Sequence, residues 1–273
     1  MSAPDDEVFE HLPAGTEMRR GGRERSMGFF EHLDEMRGTL IKSAIVFAIF
    51  AALIGYFMKE FNEVLLWPLH YVQAEKPTLV LELGTTTVME GFNVVIQMCF
   101  LGGFILAAPF ILFFVGQFVA PALTDHELRM VLPLVFMAGL LFLIGASFSF
   151  FLLVPSTIRV SIEINELLGY TLRWTPGSYY SLLTWLVLGV GAAFEFPLLI
   201  VLLVYMGVIT TAFLRKYRRH AIVVIFIIAA VVTPTPDPVT QTLFAAPLYI
   251  LFELAVFAGA RVEKKRNERL RAP

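Results

Sequence analysis

Six runs of apolar residues, separated by the chain's few charges, constrain this 273-residue sequence more than any other feature. A helix needs about 20 apolar residues to cross a hydrocarbon core ~30 Å thick. Leu40–Met58, Val94–Phe118, Val131–Val154 and Tyr179–Met206 meet or approach that length. Ala221–Val232 is shorter and would reach only about 18 Å at 1.5 Å per residue. Leu243–Ala260 completes the set. With 57% hydrophobic and 16% charged residues, the chain departs from the ~25% charged of an ordinary globular domain. Too little interior exists to hide that much apolar surface from water. The sequence therefore predicts an all-α membrane protein of six transmembrane helices, the last two short.

The charges orient those helices. Of 21 lysines and arginines, 17 fall in the N-terminal segment, the loop around Arg129, the Arg215–Arg219 loop and the C-terminal tail. Lys59, Lys76, Arg159 and Arg173 lie on the other side. The positive-inside bias then puts both termini in the cytoplasm. Residues 1–27 read as a solvated, disordered tail, residues 28–260 as the membrane domain, and residues 261–273 as a basic tail. The first apolar run begins too late for a cleaved signal peptide, and about twenty mostly polar residues part Arg19-Arg20 from it. Phe61–Tyr71, with Trp67 and Tyr71, reads as an interfacial helix on the outer face. Trp174, Tyr179, Tyr180 and Trp185 read as an outer aromatic belt.

Little in the sequence points to an enzyme. His126-Glu127 is not followed by the second histidine of a zinc-protease motif, and neither a GxSxG turn nor a Gly-rich phosphate loop occurs. The net charge of −2 argues against a nucleic-acid partner. Cys99 stands alone, which excludes an intrachain disulfide and a cysteine-based metal centre. No cofactor or metal site is expected.

Carboxylates in unusual places remain. Glu195 lies inside the fourth run, where a charge costs ~2.5–3.5 kcal/mol on insertion scales. It must be protonated, paired or facing water, and Pro197 beside it should loosen the helix. For Glu253, near Arg261, an ion pair or snorkelling competes with a functional role. Glu31, Asp34 and Glu35 precede the first run, and Asp125 and Glu127 lie between the second and third. Acids on that face oppose the positive-inside trend and suit a cationic partner, whereas Asp34 and Asp125 read as solvated surface charges.

These residues resemble a known family. Phe30-Glu31-His32-Leu33-Asp34-Glu35-Met36-Arg37 is similar to the F-x-x-H-L-x-E-L-R motif before the first span of TatC, a subunit of the twin-arginine translocase. Gln117–Glu127 resembles that family's loop between spans two and three, with Pro121 and Glu127 in place. Phe194-Glu195-Phe196-Pro197 matches its F-E-x-P, and Thr235-Pro236-Asp237 with Gln241, Pro247 and Glu253 resembles its T-P-D…Q…P…E stretch. Met36 replaces a leucine, and Thr-Pro-Thr-Pro-Asp stands where many relatives have Thr-Pro-Pro-Asp.

The resemblance implies a concave bundle in the bacterial inner membrane that binds the twin-arginine signal peptides of folded precursors. It implies partnership with single-span TatA- and TatB-type subunits, assembly with further copies of itself, and transport driven by the proton motive force. By match, Glu35, Arg37, Phe118 and Glu127 would engage the signal peptide. Glu195 would face a pocket within the membrane, and Thr235, Asp237 and Gln241 would contact the single-span partners. The short fifth and sixth spans should thin the bilayer locally. The rival expectation is a proton-coupled secondary transporter relaying protons through Glu195. It would need further intramembrane polar groups, which spans one and three hardly offer.

Overall fold

The computed structural model describes residues 29–76, 83–119, 125–233 and 237–271. The tail 1–27 and Thr235 lie outside the described residues. Ten α-helices follow in order: α1 Phe29–Tyr56, α2 Met58–Glu75, α3 Glu90–Val119, α4 Asp125–Phe148, α5 Val154–Leu168, α6 Pro176–Phe194, α7 Phe196–Tyr205, α8 Thr211–Lys216, α9 Arg218–Val232 and α10 Pro238–Arg271. Among the described residues, five stretches are long and apolar enough to cross a membrane: His32–Tyr56, Glu90–Val119, Leu132–Leu168, Pro176–Tyr205 and Pro238–Lys264. This is a multi-pass, all-helical membrane protein.

The remaining apolar run is α9, with 15 residues or about 22 Å of helix. Its C-terminal carbonyl, on Val232, accepts the indole N–H of Trp185 at 2.8 Å. Trp185 lies nine residues into α6, so α9 ends about 13 Å short of the α6 start. The C-terminal end of α9 is therefore recessed within the depth of the bundle. Of the last two spans, only α9 is short as a helix. The 34-residue α10 continues past Ala260 into the charged residues, where good helix formers and a Lys264–Glu268 pair at 3.9 Å sustain it. The boundary expected at residue 260 thus falls inside one helix.

Three other expectations are corrected. The third span does not stop at Val154: α4 passes through a π-helical turn, Ser149–Leu153, directly into α5. Pro155 offers no N–H to the preceding ladder, and the wider turn absorbs that loss. Helix α5 stops at Gly169, whose φ of 72° suits glycine, with Tyr170 N–H closing back to the Asn165 carbonyl at 2.9 Å. The second correction concerns α2, which is longer than Phe61–Tyr71 and buries Leu65, Pro68, Leu69 and Val72. It packs on the bundle rather than merely lying at an interface. Third, Tyr179 and Tyr180 are not belt residues, for both are buried. Their hydroxyls donate to α2, Tyr179 to the Leu65 carbonyl at 2.6 Å and Tyr180 to Asn62. A phenol goes inside when its O–H finds a partner there.

The core has two centres. One joins α2, α3, α5 and the first half of α6 through Leu69, Leu101, Ile158, Leu183 and their neighbours. The other joins α7, α9 and α10 to the end of α6 through Val204, Phe194, Ile225, Phe244 and Leu248. Helix α1 stands outside both, with 6% of its spanning window buried. It leans on α3, and the backbones draw close at Gly103, where a Cβ would lie 2.9 Å from the Ala51 Cα. In lipid, where apolar surface gains little by association, such backbone approach supplies the packing. Ion pairs join α2 to α5: Arg159 forks onto Glu75 at 2.7 and 2.7 Å, and Lys76 meets Glu166 at 3.0 Å. The guanidinium holds the Glu75 carboxyl below the usual glutamate range.

Candidate functional site

The end of the bundle that carries the α1 N-terminus, the α3 C-terminus and the start of α4 brings the sequence-predicted recognition residues together. The His32 imidazole on α1 stacks on the Phe118 ring on α3, with centroids 4.5 Å apart and planes 23° from parallel. Glu35 follows one turn after His32 and shares its face of the helix. Its Oε2 is buried, with no hydrogen-bond partner among the described residues. Arg37 is exposed on the same helix. Glu127 belongs to the first turn of α4, where an acid complements the helix dipole. The Glu127 side chain lies outside the described residues. Glu35 and Phe118 thus lie at one corner, Arg37 stands on a different side of α1 two residues beyond Glu35, and α4 starts from that same end.

A second feature lies deeper. Helices α6 and α7 are one span broken at Glu195, where the backbone N–H closes to the Ala192 carbonyl at 3.1 Å, three residues back. Pro197 opens α7 and cannot donate, so the ladder breaks where the sequence places it. The break aims Glu195 at an apolar concavity of about 420 Å³, lined by Leu112 and Val115 of α3, Leu134 and Ala138 of α4, Leu199 of α7 and Ile228 of α9. Glu195 is the one acid in that lining, and its Oε1 is buried without a partner among the described residues. A lone acceptor in an apolar recess favours a ligand or helix that brings a donor or a cation.

The third group lies at the start of α10. Asp237 caps α10, accepting the Thr240 N–H on Oδ2 at 2.6 Å. The half-buried Gln241 amide reaches the Phe226 carbonyl only at 3.5 Å, beyond an ordinary N–H···O bond. Asp237 therefore has a structural task, whereas the Gln241 amide is weakly held. Glu253 does form an ion pair, with Arg218 at 2.8 Å rather than Arg261, and Tyr249 donates to it at 3.1 Å.

Sequence reasoning gave Glu90 no role beyond a place in Thr87–Phe92, a loosened P-x-E-x-F pattern of the family. At 6% exposure its carboxylate accepts from the Thr86 N–H at 2.8 Å, the Thr86 hydroxyl at 3.3 Å and the Gly177 N–H at 3.1 Å. One side chain thus caps the approach to α3 and the first turn of α6, beside the Leu83–Trp174 bridge. The readable signal was Thr87-Val88-Met89-Glu90 before an apolar run, the pattern of a helix start.

Comparison with known proteins shows which family shares this sequence and fold. The family described as "Sec-independent protein translocase protein (TatC)" matches residues 31–247. The chain is similar to the Sec-independent protein translocase protein TatC of Aquifex aeolicus, at 36% identity over 247 residues, covering 89% of this chain and 98% of that one. It is similar to the protein of the same name from Koribacter versatilis, at 31% identity over 251 residues and 90% of each chain. Among solved structures it resembles the crystal structure of "Twin Arginine Translocase Receptor- TatC in DDM", with a TM-score of 0.71 and 36% identity over 84% of this chain and 99% of that one. With a family match from the turn before Glu35 to Pro247 and a fold shared with a solved member, this chain belongs to the TatC family of Sec-independent protein translocase proteins.

Proposed function

We propose that this chain is the receptor subunit of a twin-arginine translocase, binding the arginine pair of a signal peptide at the corner where α1 meets α3. The observation that carries the reading is the buried Glu35 Oε2, without a hydrogen-bond partner among the described residues, one turn from the His32–Phe118 stack. A guanidinium offers a planar fork of donors that carboxylates grip bidentately, and an ammonium cannot reproduce that fork. A fully exposed pair is worth only ~0–1 kcal/mol. Partial burial of Glu35 raises that figure, and Glu127 supplies the second carboxylate. Phe118 gives the peptide's apolar segment a surface beside the charges, and Arg37 flanks the site on α1.

In this reading the protein is not an enzyme and needs no cofactor. It lies in the bacterial inner membrane with both termini in the cytoplasm, and the proton motive force drives transport. TatA- and TatB-type single-span subunits contact Thr235, Asp237 and Gln241, and further copies of the chain complete the complex. The short α9 draws the bilayer thin there, which suits passage of folded cargo without a preformed pore. Glu195 offers its acceptor to whatever enters the concavity. Family membership along residues 31–247 favours this reading over a proton-coupled transporter. The test is direct: the purified chain should bind a twin-arginine peptide, lose it when both arginines become lysines, and take up no small solute. Equal binding of the lysine peptide would refute the reading.

A further inference from the structure

Helices α8 and α9 carry four cations in five positions, Arg215, Lys216, Arg218 and Arg219, immediately before the apolar stretch that begins at Ala221. Helix α10 packs along α8 and turns from apolar to charged at Arg261, directly after Ala260. The acids at this rim are already engaged. Glu253 is held by Arg218 and Tyr249. Glu263 accepts the Thr211 N–H at 2.9 Å and the Thr211 hydroxyl, which ties the charged end of α10 to the first turn of α8.

The result is an unbalanced surface. Arg215, Lys216, Arg219 and Arg261 are all exposed, and none has an acidic partner among the described residues. What they touch is aromatic: Lys216 lies 5.8 Å from the Tyr217 ring centre and Arg261 4.1 Å from that of Phe257. Phe213 and Phe257 are themselves 52% and 56% exposed. Unpartnered cations interleaved with exposed rings, where apolar helix gives way to charged helix, mark the depth of lipid headgroups.

We infer that this rim binds the phosphate groups of anionic phospholipids in the leaflet beside α8, with Arg215, Lys216 and Arg219 as the principal donors and the Thr211–Glu263 contact holding the two helices in place. The inference is independent of the receptor reading, since no residue of the signal-peptide corner takes part. A water-soluble anion satisfies the cations but gains nothing from the exposed rings. A phospholipid does both.

The experiment uses the full chain in neutral detergent, titrated with phosphatidylglycerol, with phosphatidylcholine and with inorganic phosphate, and reads retained lipid by native mass spectrometry and stability by thermal melting. Phosphatidylglycerol should be retained and raise the melting temperature, and the other two should do neither. The triple variant Arg215→Gln/Lys216→Gln/Arg219→Gln should lose phosphatidylglycerol affinity by a factor on the order of a hundred, about fivefold per cation. Arg215→Gln and Arg219→Gln alone should each show that fivefold loss, which keeps the test available if the triple variant folds poorly. Arg173→Gln, at the opposite end, should leave lipid retention unchanged. Wild-type retention by the single or triple variants would overturn the inference, as would an equal response to phosphatidylcholine. Inorganic phosphate acting as well as the lipid would show a soluble-anion site instead.

Discussion

His32 and Phe118, 86 residues apart in the chain, stack with ring centroids 4.5 Å apart. The stack fixes how the N-terminal turns of α1 sit against the end of α3. Because Glu35 is one turn beyond His32, the same contact sets where the Glu35 carboxylate points. A stacked ring pair is worth ~0.5–1.5 kcal/mol. His32→Ala should therefore weaken twin-arginine peptide binding about two- to tenfold without loss of protein from the membrane, and His32→Phe should restore it. Peptide affinity across the three proteins is the measurement. Failure of Phe to rescue would mean the imidazole acts through its nitrogens.

The seam behind that corner gives a second prediction. A Cβ at Gly103 would collide with the Ala51 backbone at 2.9 Å, and α1 packs chiefly on α3. Gly103→Leu should displace α1 while the cores around Leu183 and Phe244 persist. Cysteine crosslinking between α1 and α3 should fall sharply, with helix content by circular dichroism nearly unchanged. A wild-type crosslink would show that α1 is held elsewhere.

The broken span was the most legible part of the fold. Phe-Glu-Phe-Pro told where the helix must yield, since a proline lacks the donor that an unbroken ladder requires, and the break falls at Glu195. The corner was legible only by resemblance, because nothing in the spacing of His32 and Phe118 announces their contact. The tyrosines misled, since Tyr179 and Tyr180 look like belt residues until α2 supplies acceptors for their hydroxyls. Nor could α10 be bounded by charge, because Arg261 to Arg271 are good helix formers and continue the helix.

Glu195 should act in transport rather than in surface recognition. Its side chain lines the concavity, with Oε1 buried and without a partner among the described residues, distant in the chain from Glu35 and on other helices. Glu195→Ala should cut export several-fold and leave peptide binding at the α1–α3 corner within twofold of wild type. Export and peptide crosslinking measured in the same membranes separate the two. Parallel loss of both, with the protein degraded, would make Glu195 a purely structural residue.

Gln241 should serve a partner helix. Among the described residues its amide is held only by a 3.5 Å contact to Phe226, and a hydrogen bond between membrane helices is worth roughly 0.6–2 kcal/mol. Gln241→Leu should weaken association with the single-span subunits about three- to thirtyfold and leave peptide binding unchanged. Co-purification of those subunits is the readout, and wild-type yield would remove Gln241 from the interface.

Replacing Glu127 in membranes that also carry a photocrosslinker at Phe118 probes recognition most directly. Charge-assisted hydrogen bonds are worth ~1.5–3 kcal/mol. Glu127→Ala should therefore reduce crosslinking to a twin-arginine precursor at least tenfold, Glu127→Gln should fall between Ala and wild type, and association with the TatB-type subunit should remain. Undiminished precursor crosslinking in Glu127→Ala and Glu35→Ala membranes would contradict the proposal that these carboxylates receive the arginine pair.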